Sequence, residues 1–372
     1  MTSNESDILL YRIAFSLVKG VNVSTGLRLL ELIGTPHDFF TMDLRECIRV
    51  TGMNATHFTE SYRAELLEKA RKELDFIRQH DIDTLWFADS RYPQRLLECE
   101  DAPVLLYVKG RCNLNPRHVI GIVGTRNATH YGANFIGKLV DDLSSKISDL
   151  LVVSGLALGC DVLAHRRAMA DGVPTAGVVA HGLDTIYPPE NRNDAARMAS
   201  GAGAVITDYT TGTRPYRGNF LARNRIVAGM ADCLMVVESA ADHGGALHTA
   251  RLAREYNREV FALPGRATDH YSGGCNRLIR DNIAQLCTGA DDIISAMGWE
   301  TIPSEGVQTQ LFRELSPEEK LIVDLLEKLG DMQINELTMK TGMPISRLSA
   351  CLMTMEMDGL VQSIPGARYR KV

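Results

Sequence analysis

The fold is decided by residues 119–155, VIGIVGTRNATHYGANFIGKLVDDLSSKISDLLVVSG, which read as a strand, a helix and a second strand. The strand-like runs VIGIVG (119–124) and LLVVSG (150–155) are continuously apolar. Between them, apolar residues share one face of a helix, at Phe135, Ile136, Leu139, Val140, Leu143 and Ile147. Continuous apolar strands joined by helices are typical of a parallel sheet that is covered on both faces.

The same alternation continues on both sides of this stretch. Further strand-like runs are DTLWFAD (83–89), PVLLYVKG (103–110), TAGVVAHG (175–182), AVITDY (204–209), CLMVVES (233–239) and REVFALPG (258–265). From His118 onward, helical segments follow the strands in turn. The pattern predicts an α/β fold with a doubly wound, Rossmann-like parallel sheet as its core, over residues 76–300.

The two flanks of this core are helical. Residues 1–75 read as short helices and are predicted to form a small N-terminal domain. Residues 301–311, which include PSEGVQTQ, read as a linker. Residues 312–372 show three helical segments followed by a hairpin signal, SIPGARY. That order is typical of a winged helix-turn-helix domain.

Composition excludes several classes of protein. The chain carries 40 Lys+Arg against 46 Asp+Glu, a formal charge of -6, so it does not coat nucleic acid by bulk charge. No signal peptide or membrane span is expected from the sequence. The eight cysteines are scattered without a C-x-x-C pair, so we expect thiols in a reducing cytoplasm rather than disulfides or a zinc site. No metal and no cofactor is predicted.

One cationic segment stands out against this acidic background. Residues 214–225, RPYRGNFLARNR, hold four arginines and two aromatic residues, and no acidic residue occurs between Asp208 and Asp232. Arginine forks match phosphate oxygens, and Phe220 or Tyr216 would offer a ring on which a base stacks. The pattern therefore favours a single-stranded nucleic acid as ligand. A solvated helix face and a core position for both rings are the structural alternatives.

Loops that follow the predicted strands would surround this segment. Parallel strands place their carboxyl ends at one edge, where doubly wound sheets bind ligands. The backbone of five loop residues is expected to contact phosphate: Gly124, Thr125, Gly155, Gly244 and Gly245. Tight packing of strand against helix would equally explain the glycines. Asp161 and Asp184 are either catalytic carboxylates or caps of helices and turns.

Motifs of familiar enzymes fail on inspection. GANFIGKL (132–139) resembles a phosphate-binding loop, but Leu139 replaces the required Ser or Thr and the segment lies inside a helix. GIVGTR (121–126) lacks the dinucleotide-binding pattern, and Ser154 is not in G-x-S-x-G. His243 and His248 are five residues apart, which does not suit a helical metal pair. No catalytic residue is assigned.

The C-terminal domain does not carry the charge of a DNA reader. From Arg313 onward eight residues are basic and nine are acidic, and its third helix holds one arginine, Arg347. We therefore expect a protein-contact module, whose basic tail, Arg368 to Lys371, would be able to touch a nucleic-acid backbone.

Seven motifs in order give the chain a resemblance to a known family. They are GTRNATHYG, SGLALGCD, HGLDTIYPPENR, FLARNRIVAG, GGALHTA, FALPG and GCNRLIRDNI. Together they closely resemble the DNA-processing protein A (DprA/Smf) family, over about residues 85 to 295. Leu221, Cys160 and the stretch TDYTTGTRPYRG depart from the family's usual residues, which bears on the shape of the basic loop.

The resemblance implies a cytoplasmic, non-enzymatic homodimer that binds single-stranded DNA. It implies protection of incoming strands and loading of RecA recombinase during natural transformation, without a membrane partner. It also implies a SAM-like or helix-hairpin-helix N-terminal domain. The residues that would line the DNA groove are Arg126, Ser154, Arg217, Phe220, Arg223, Asn224 and Arg225.

Two other functions are compatible with parts of the pattern. A Rossmann-like nucleotide-processing hydrolase of the phosphoribohydrolase type would use a glycine-rich loop followed by a catalytic glutamate. HGGALHT (243–249) is a faint echo of that loop and lacks the glutamate. A winged-helix transcription regulator is disfavoured by the acidic balance of the C-terminal domain.

Overall fold

The computed structural model describes residues 3–54, 58–241, 244–302, 315–357, 360–364 and 366–371. The chain forms two compact units, Met1–Ile302 and Pro303–Val372. Most of the predicted linker, 301–311, lies outside the described residues, and the division of the larger unit at residue 75 stays a prediction.

The larger unit begins with helices whose ends are set by capping side chains. They are α1 (Ser3–Ser16), α2 (Val23–Ile33), α3 (Pro36–Thr41), α4 (Leu44–Thr51) and α5 (Glu60–Gln79). Asn22 and Thr35 each form a capping box at the start of α2 and α3. Phe15 and Phe39 pack edge to face with ring centroids 5.2 Å apart. These helices therefore share an aromatic core.

Within the described residues, nine strands form the main sheet. They are β1 (Asp83–Trp86), β2 (Leu105–Gly110), β3 (His118–Val123), β4 (Leu150–Ser154), β5 (Thr175–Val178), β6 (Ala204–Thr207), β7 (Cys233–Val236), β8 (Glu259–Ala262) and β9 (Gln285–Leu286). Their spatial order is β1-β2-β6-β5-β4-β3-β7-β8-β9. The chain thus starts the parallel part at β3, builds outward to β6, and returns to the other side of β3 with β7.

Helices connect these strands and cover both faces of the sheet. They are α6 (Gln94–Leu97), α7 (His130–Lys146), α8 (Cys160–Ala170), α9 (Arg192–Ser200), α10 (Arg217–Met230), α11 (Gly245–Glu255), α12 (Gly273–Arg280) and α13 (Ala290–Met297). Neighbouring residues of β3 point to opposite faces. Val119 packs in one core with α10 and α11, and Ile120 packs in another with α7 and α8. The doubly wound α/β prediction is confirmed.

The sheet also has an antiparallel edge that the sequence pattern did not predict. β2 runs antiparallel to β6, with Tyr107 opposite Thr207, and β1 runs antiparallel to β2. Trp86 of β1 packs against Phe15 of α1, with ring centroids 6.1 Å apart. The N-terminal helices therefore bury this edge of the sheet and share its core.

The smaller unit has the predicted winged-helix order. Its elements are α14 (Pro317–Leu329), β10 (Met332–Gln333), α15 (Ile334–Thr341), α16 (Ile345–Met357), β11 (Val361–Ile364) and β12 (Arg368–Lys371). The strands pair in the order β10-β12-β11. Ile322, Leu337 and Leu352 are fully buried in its core. The winged-helix prediction is confirmed.

Two kinds of feature are absent from the part of the chain that the structure describes. No helix there is both long and apolar enough to cross a membrane. No group of three or more His, Cys, Asp or Glu side chains there is arranged to hold a metal ion.

Candidate functional site

A cleft of about 830 Å³ lies at the carboxyl ends of β3, β4 and β7. This is the point at which the strand order reverses, where open α/β sheets bind ligands. The residues that line it are Val123, Gly124, Thr125, Arg126, Gly155, Ala157, Asp161, Tyr187, Pro215, Arg217, Phe220, Leu221, Arg223, Asn224, Val227, Ser239, Ala240, Gly244, Gly245, Ala246, Thr249 and Tyr271. The structure therefore brings together most of the residues that the sequence singled out.

The arginine segment is helical from Arg217 onward. α10 begins at Arg217, and its first turn contains no acidic residue. Residues 217, 220 and 224 lie three and four positions apart, so they share one face of α10. This face lines the cleft.

Helix amino ends add positive potential to the cleft. α10 starts after Tyr216 and α11 starts after Gly244, and within the described residues neither start is capped by a side chain. The partial positive charge of a helix amino end attracts anions such as phosphate. The rim of the cleft is therefore suited to a polyanion, although the whole chain is acidic.

A cation lies over an aromatic ring at the centre of the cleft. The guanidinium carbon of Arg126, an exposed residue in the loop after β3, is 5.4 Å from the centre of the Phe220 ring. Tyr187, 43% exposed, also packs against Phe220, with ring centroids 5.8 Å apart. Together the three groups present planar surfaces and one positive charge to the solvent. Planar rings and a guanidinium are groups on which bases stack.

Arg223 lines the cleft but is almost wholly buried in its floor, unlike an exposed groove residue. It is 4% exposed. It donates to the carbonyl oxygen of Gly155 at 2.6 Å and to that of Val178. Burial lowers the pKa of Arg223, and the nearby Asp161 carboxylate opposes that effect. Arg223 therefore joins the ends of β4 and β5 from within the protein.

Ser154 and Arg225 are also placed differently from the expectation, because neither lines the cleft. Ser154 is fully buried, and its hydroxyl donates to the carbonyl oxygen of Ile122 at 2.5 Å. Arg225 forms a largely buried ion pair with Asp208. A buried hydroxyl and a buried, paired guanidinium are not available to an incoming phosphate.

Arg217 and Asn224 complete the accessible set. Arg217 is exposed at the start of α10. The side-chain amide of Asn224 donates to the carbonyl oxygen of Gly245 at 3.4 Å, so it links α10 to α11. Both residues line the cleft, together with Arg126 and Phe220, and their contact with DNA stays a prediction.

The five predicted backbone positions all line the cleft, but they are not equivalent. The amide of Thr125 donates to the carbonyl oxygen of Glu238 at 2.7 Å, so it is not directed at a ligand as expected. A Cβ added at Gly124 would collide with Cys160, and one added at Gly155 would lie 2.6 Å from the Arg223 guanidinium. These two glycines are therefore required by packing as well as by the shape of the cleft.

The candidate catalytic carboxylates have structural partners. Asp161 is buried beside Arg223 and accepts from the amide of Ala157 at 3.4 Å. Burial raises the pKa of Asp161, and the Arg223 charge opposes the rise. Asp184 accepts from the amide of Gly212 at 3.0 Å. Both contacts fit the alternative in which these residues hold helices and turns.

The histidines of the core are occupied in packing. His165 is fully buried, its Nδ1 lies 2.7 Å from the Thr175 hydroxyl, and burial lowers its pKa to about 3. The Nε2 of His181 accepts from the amide of Tyr187 at 3.1 Å. His243 lies outside the described residues.

Three residues of the site were missed in the sequence. Tyr187 and Tyr271 line the cleft from loops that follow β5 and β8. Glu73 of α5 accepts from the amide and hydroxyl of Thr211 at 2.8 and 3.3 Å, and so fixes the loop before α10. An aromatic residue in a loop after a strand is a usable signal for the tyrosines. Glu73 lies too far away along the chain for any local pattern to indicate it.

Comparison with known proteins assigns the two units to the same family. The model of DNA recombination-mediator protein A matches residues 83–298, and that of the DprA winged helix domain matches residues 308–367. Protein Smf of Synechocystis is 32% identical over 317 residues, which cover 76% of this chain and 78% of the relative.

Solved structures agree with this assignment. The X-ray structure of DNA processing protein A from Streptococcus pneumoniae is 31% identical with a TM-score of 0.65, over 79% of this chain and 98% of the other. The structure of DNA processing protein A from Helicobacter pylori, which describes a single-stranded DNA binding mode, is 28% identical with a TM-score of 0.52. It covers 58% of this chain and 95% of the other.

Proposed function

This chain belongs to the DNA recombination-mediator protein A family, and we propose that its cleft binds single-stranded DNA without sequence preference. The observation that carries the proposal is the Arg126 guanidinium over the Phe220 ring at the switch point of the sheet. A role in DNA processing follows from the family. The ligand and the residues that hold it are our proposal.

Charge supports a nucleic-acid backbone as the ligand. Arg126 and Arg217 are exposed in the cleft, and the run from Asp208 to Asp232 holds no acidic residue between these two. Arginine binds phosphate through two parallel hydrogen bonds. The amino ends of α10 and α11 add to the attraction. Phosphates would therefore lie along the face of α10.

The aromatic groups favour a single strand over a duplex. Phe220 and Tyr187 offer ring faces, and a base stacked on such a ring contributes about 1–3 kcal/mol. Bases of a duplex are already stacked on one another, so they do not gain from these rings. The cleft therefore favours a single strand over a duplex, because only the single strand has unstacked bases to place on these rings.

The further steps rest on the resemblance to the family alone. In this proposal the protein acts in the cytoplasm as a homodimer, protects incoming strands and loads RecA recombinase onto them during natural transformation. It does so as a binding protein rather than as an enzyme. The structural partners of Asp161 and Asp184 support that part of the proposal.

We assign the winged-helix unit to protein contacts. Two of its arginines are paired with acidic neighbours: Arg370 with Asp331 at 2.6 Å and Arg347 with Glu318 at 2.6 Å. A guanidinium that is already paired has less to offer a phosphate. The unit therefore resembles a docking module more than a DNA reader.

The test is fluorescence anisotropy of a labelled oligo-thymidine titrated with the full chain at several salt concentrations. A duplex of equal length serves as the competitor. Tighter, salt-sensitive binding of the single strand is expected. The matched control is Arg197→Ala, because Arg197 is exposed in the last turn of α9, at the opposite edge of the sheet.

Equal or absent binding of the single strand would contradict the proposal. In that case nucleoside monophosphates would be assayed for hydrolysis, which the phosphoribohydrolase alternative requires. Loading of RecA is measured separately, as faster onset of its DNA-dependent ATP hydrolysis on a coated strand. No acceleration by this protein would contradict the mediator step alone.

A further inference from the structure

A second pair of planar groups lies at the β8 end of the cleft. Tyr271 lines the cleft and His270 beside it is exposed. Their rings pack edge to face with centroids 4.9 Å apart. The Tyr271 hydroxyl accepts from the side-chain amide of Asn127 at 3.1 Å, so this pair is joined to the loop that carries Arg126.

These groups extend a row of planar side chains across the sheet edge. The row begins with Tyr187 after β5, continues with Phe220 and Arg126, and ends with Tyr271 and His270 after β8. Tyr187 lies 5.8 Å and the Arg126 guanidinium 5.4 Å from the Phe220 ring centre, and the Tyr271 and His270 rings are 4.9 Å apart. Asn127, the residue after Arg126, contacts the Tyr271 hydroxyl and so connects the two sets. Because β5 and β8 lie on opposite sides of β3 in the sheet, these groups come from loops on both sides of the switch point.

The loop that carries the second pair is held in place by its own hydrogen bonds. The carbonyl oxygen of Tyr271 accepts from the amide of Ser239 at 2.7 Å. The side-chain amide of Asn276 makes two hydrogen bonds with the backbone of Gly265. It accepts from the Gly265 amide at 3.2 Å and donates to the Gly265 carbonyl oxygen at 3.0 Å. A fixed ring binds with a smaller loss of conformational entropy than a mobile one.

Formal charge in this loop nearly cancels. Arg266 and Asp269 are both exposed in it. Tyr271 and His270 would therefore contact a ligand through their rings and not through a net positive charge. Its contribution to binding is expected to be insensitive to salt, in contrast to that of Arg126.

We propose that Tyr271 and His270 form a second base-stacking subsite, which takes bases of the same single strand beyond those held at Phe220. The proposal rests on the proposed function and deepens it, since it gives the strand a direction across the sheet edge. A short strand would occupy the Phe220 end alone. A longer strand would reach both subsites.

The test uses the full-length protein and a ladder of labelled oligo-thymidines from about 4 to about 16 nucleotides, the range of site sizes in single-strand binding proteins. Tyr271→Ala is expected to weaken binding of the longer strands by roughly 5- to 150-fold and to leave the shortest unchanged. The slope of affinity against salt is expected to stay the same. Tyr271→Phe keeps the ring and is expected to bind like the unmodified protein.

His270→Ala is the second variant, because an exposed side chain is removed without disturbing the core. A smaller loss with the same length dependence is expected. Wild-type affinity of Tyr271→Ala and His270→Ala at every length, with Arg126→Ala impaired, would overturn the second subsite and leave the proposed function standing. Equal losses in Tyr271→Ala and Tyr271→Phe would also overturn it. Failure of the unmodified protein to bind any strand would instead overturn the proposed function.

Discussion

The Arg126 guanidinium lies over the ring of Phe220, 5.4 Å from its centre, and the two residues belong to separate segments that meet at the strand reversal. Arg126 follows β3, the first parallel strand, whereas Phe220 lies on α10, which leads into β7. Neither residue alone makes a site. Their contact joins a charge that suits phosphate to a ring that suits a base.

Replacing Arg126 by Ala should weaken binding of single-stranded DNA. The slope of log affinity against log salt should fall by about 0.7, the contribution of one phosphate on a single strand. The melting temperature should hardly change, because Arg126 is exposed. Anisotropy at several salt concentrations measures the slope. An unchanged slope, equal to that of the Arg197→Ala control, would remove Arg126 from the interface.

Replacing Arg223 by Ala should act on stability instead. The change removes hydrogen bonds to Gly155 and Val178 and leaves the buried Asp161 carboxylate without its cation. Loss of one partner of a buried charge pair costs about 3–5 kcal/mol. Urea unfolding of the variant and of Arg126→Ala provides the comparison. Wild-type stability combined with a lower salt slope would place Arg223 on the DNA after all.

Phe220 should contribute through its ring face. Phe220→Leu keeps apolar volume but removes the ring, and we expect a loss of about 1–3 kcal/mol in binding free energy with an unchanged salt slope. Phe220→Tyr keeps the ring and should retain most of the affinity. The same anisotropy titrations measure both variants. Equal affinity of the Leu and Tyr variants would show that the Phe220 ring packs within the protein and does not stack on a DNA base.

Stability should depend on pH through Glu73. Burial raises the pKa of Glu73 above its ordinary value of 4.5, although hydrogen bonds from Thr211 oppose the rise. The folded state therefore holds this proton more tightly than the unfolded state. The contribution of the Glu73 proton to the free energy of unfolding is therefore full below pH 4.5. It is lost as pH rises through the pKa of Glu73 in the folded state.

Glu73→Gln should remove this dependence. Between about pH 4 and pH 7, the unmodified protein should lose stability relative to the variant as pH increases. Urea unfolding at several pH values measures the difference. Parallel curves for the two proteins would show that the pKa of Glu73 is not raised.

Removal of residues 311–372 should leave binding of single-stranded DNA mostly intact. Every residue that lines the cleft belongs to the unit Met1–Ile302. Anisotropy with the truncated chain tests this directly. Loss of binding would mean that the winged helix touches DNA, contrary to its assignment as a protein-contact module.

Much of the core could be predicted from the sequence, because continuous apolar runs such as LLVVS mark buried parallel strands. The antiparallel direction of β2 could not be predicted from the sequence. Its apolar run looks the same in either orientation, and the helices that bury it are distant in the chain. Local pattern fixes which residues are buried. Pairing direction depends on contacts between segments far apart in the chain.

The sequence predicted most of the residues of the site but not which of them are exposed and which are buried. Arg217, Arg223 and Arg225 look alike in the sequence, yet one is exposed, one is buried and one is paired with Asp208. Treating the segment as a helix would have separated them, since positions 217, 220 and 224 share a face. No acidic residue is close to these arginines in the sequence, but the fold places Asp208 beside Arg225 and Asp161 beside Arg223.

The strand reversal has a consequence for the order in which the protein becomes competent. A growing chain that has been synthesised only through β6 already carries Arg126 but does not yet carry Phe220. The cleft is complete only when α10 has packed on the sheet and β7 and α11 have been added beside β3. A nascent chain that ends before α10 therefore lacks the ring on which a base would stack, and the full site exists only after most of the sheet has been made.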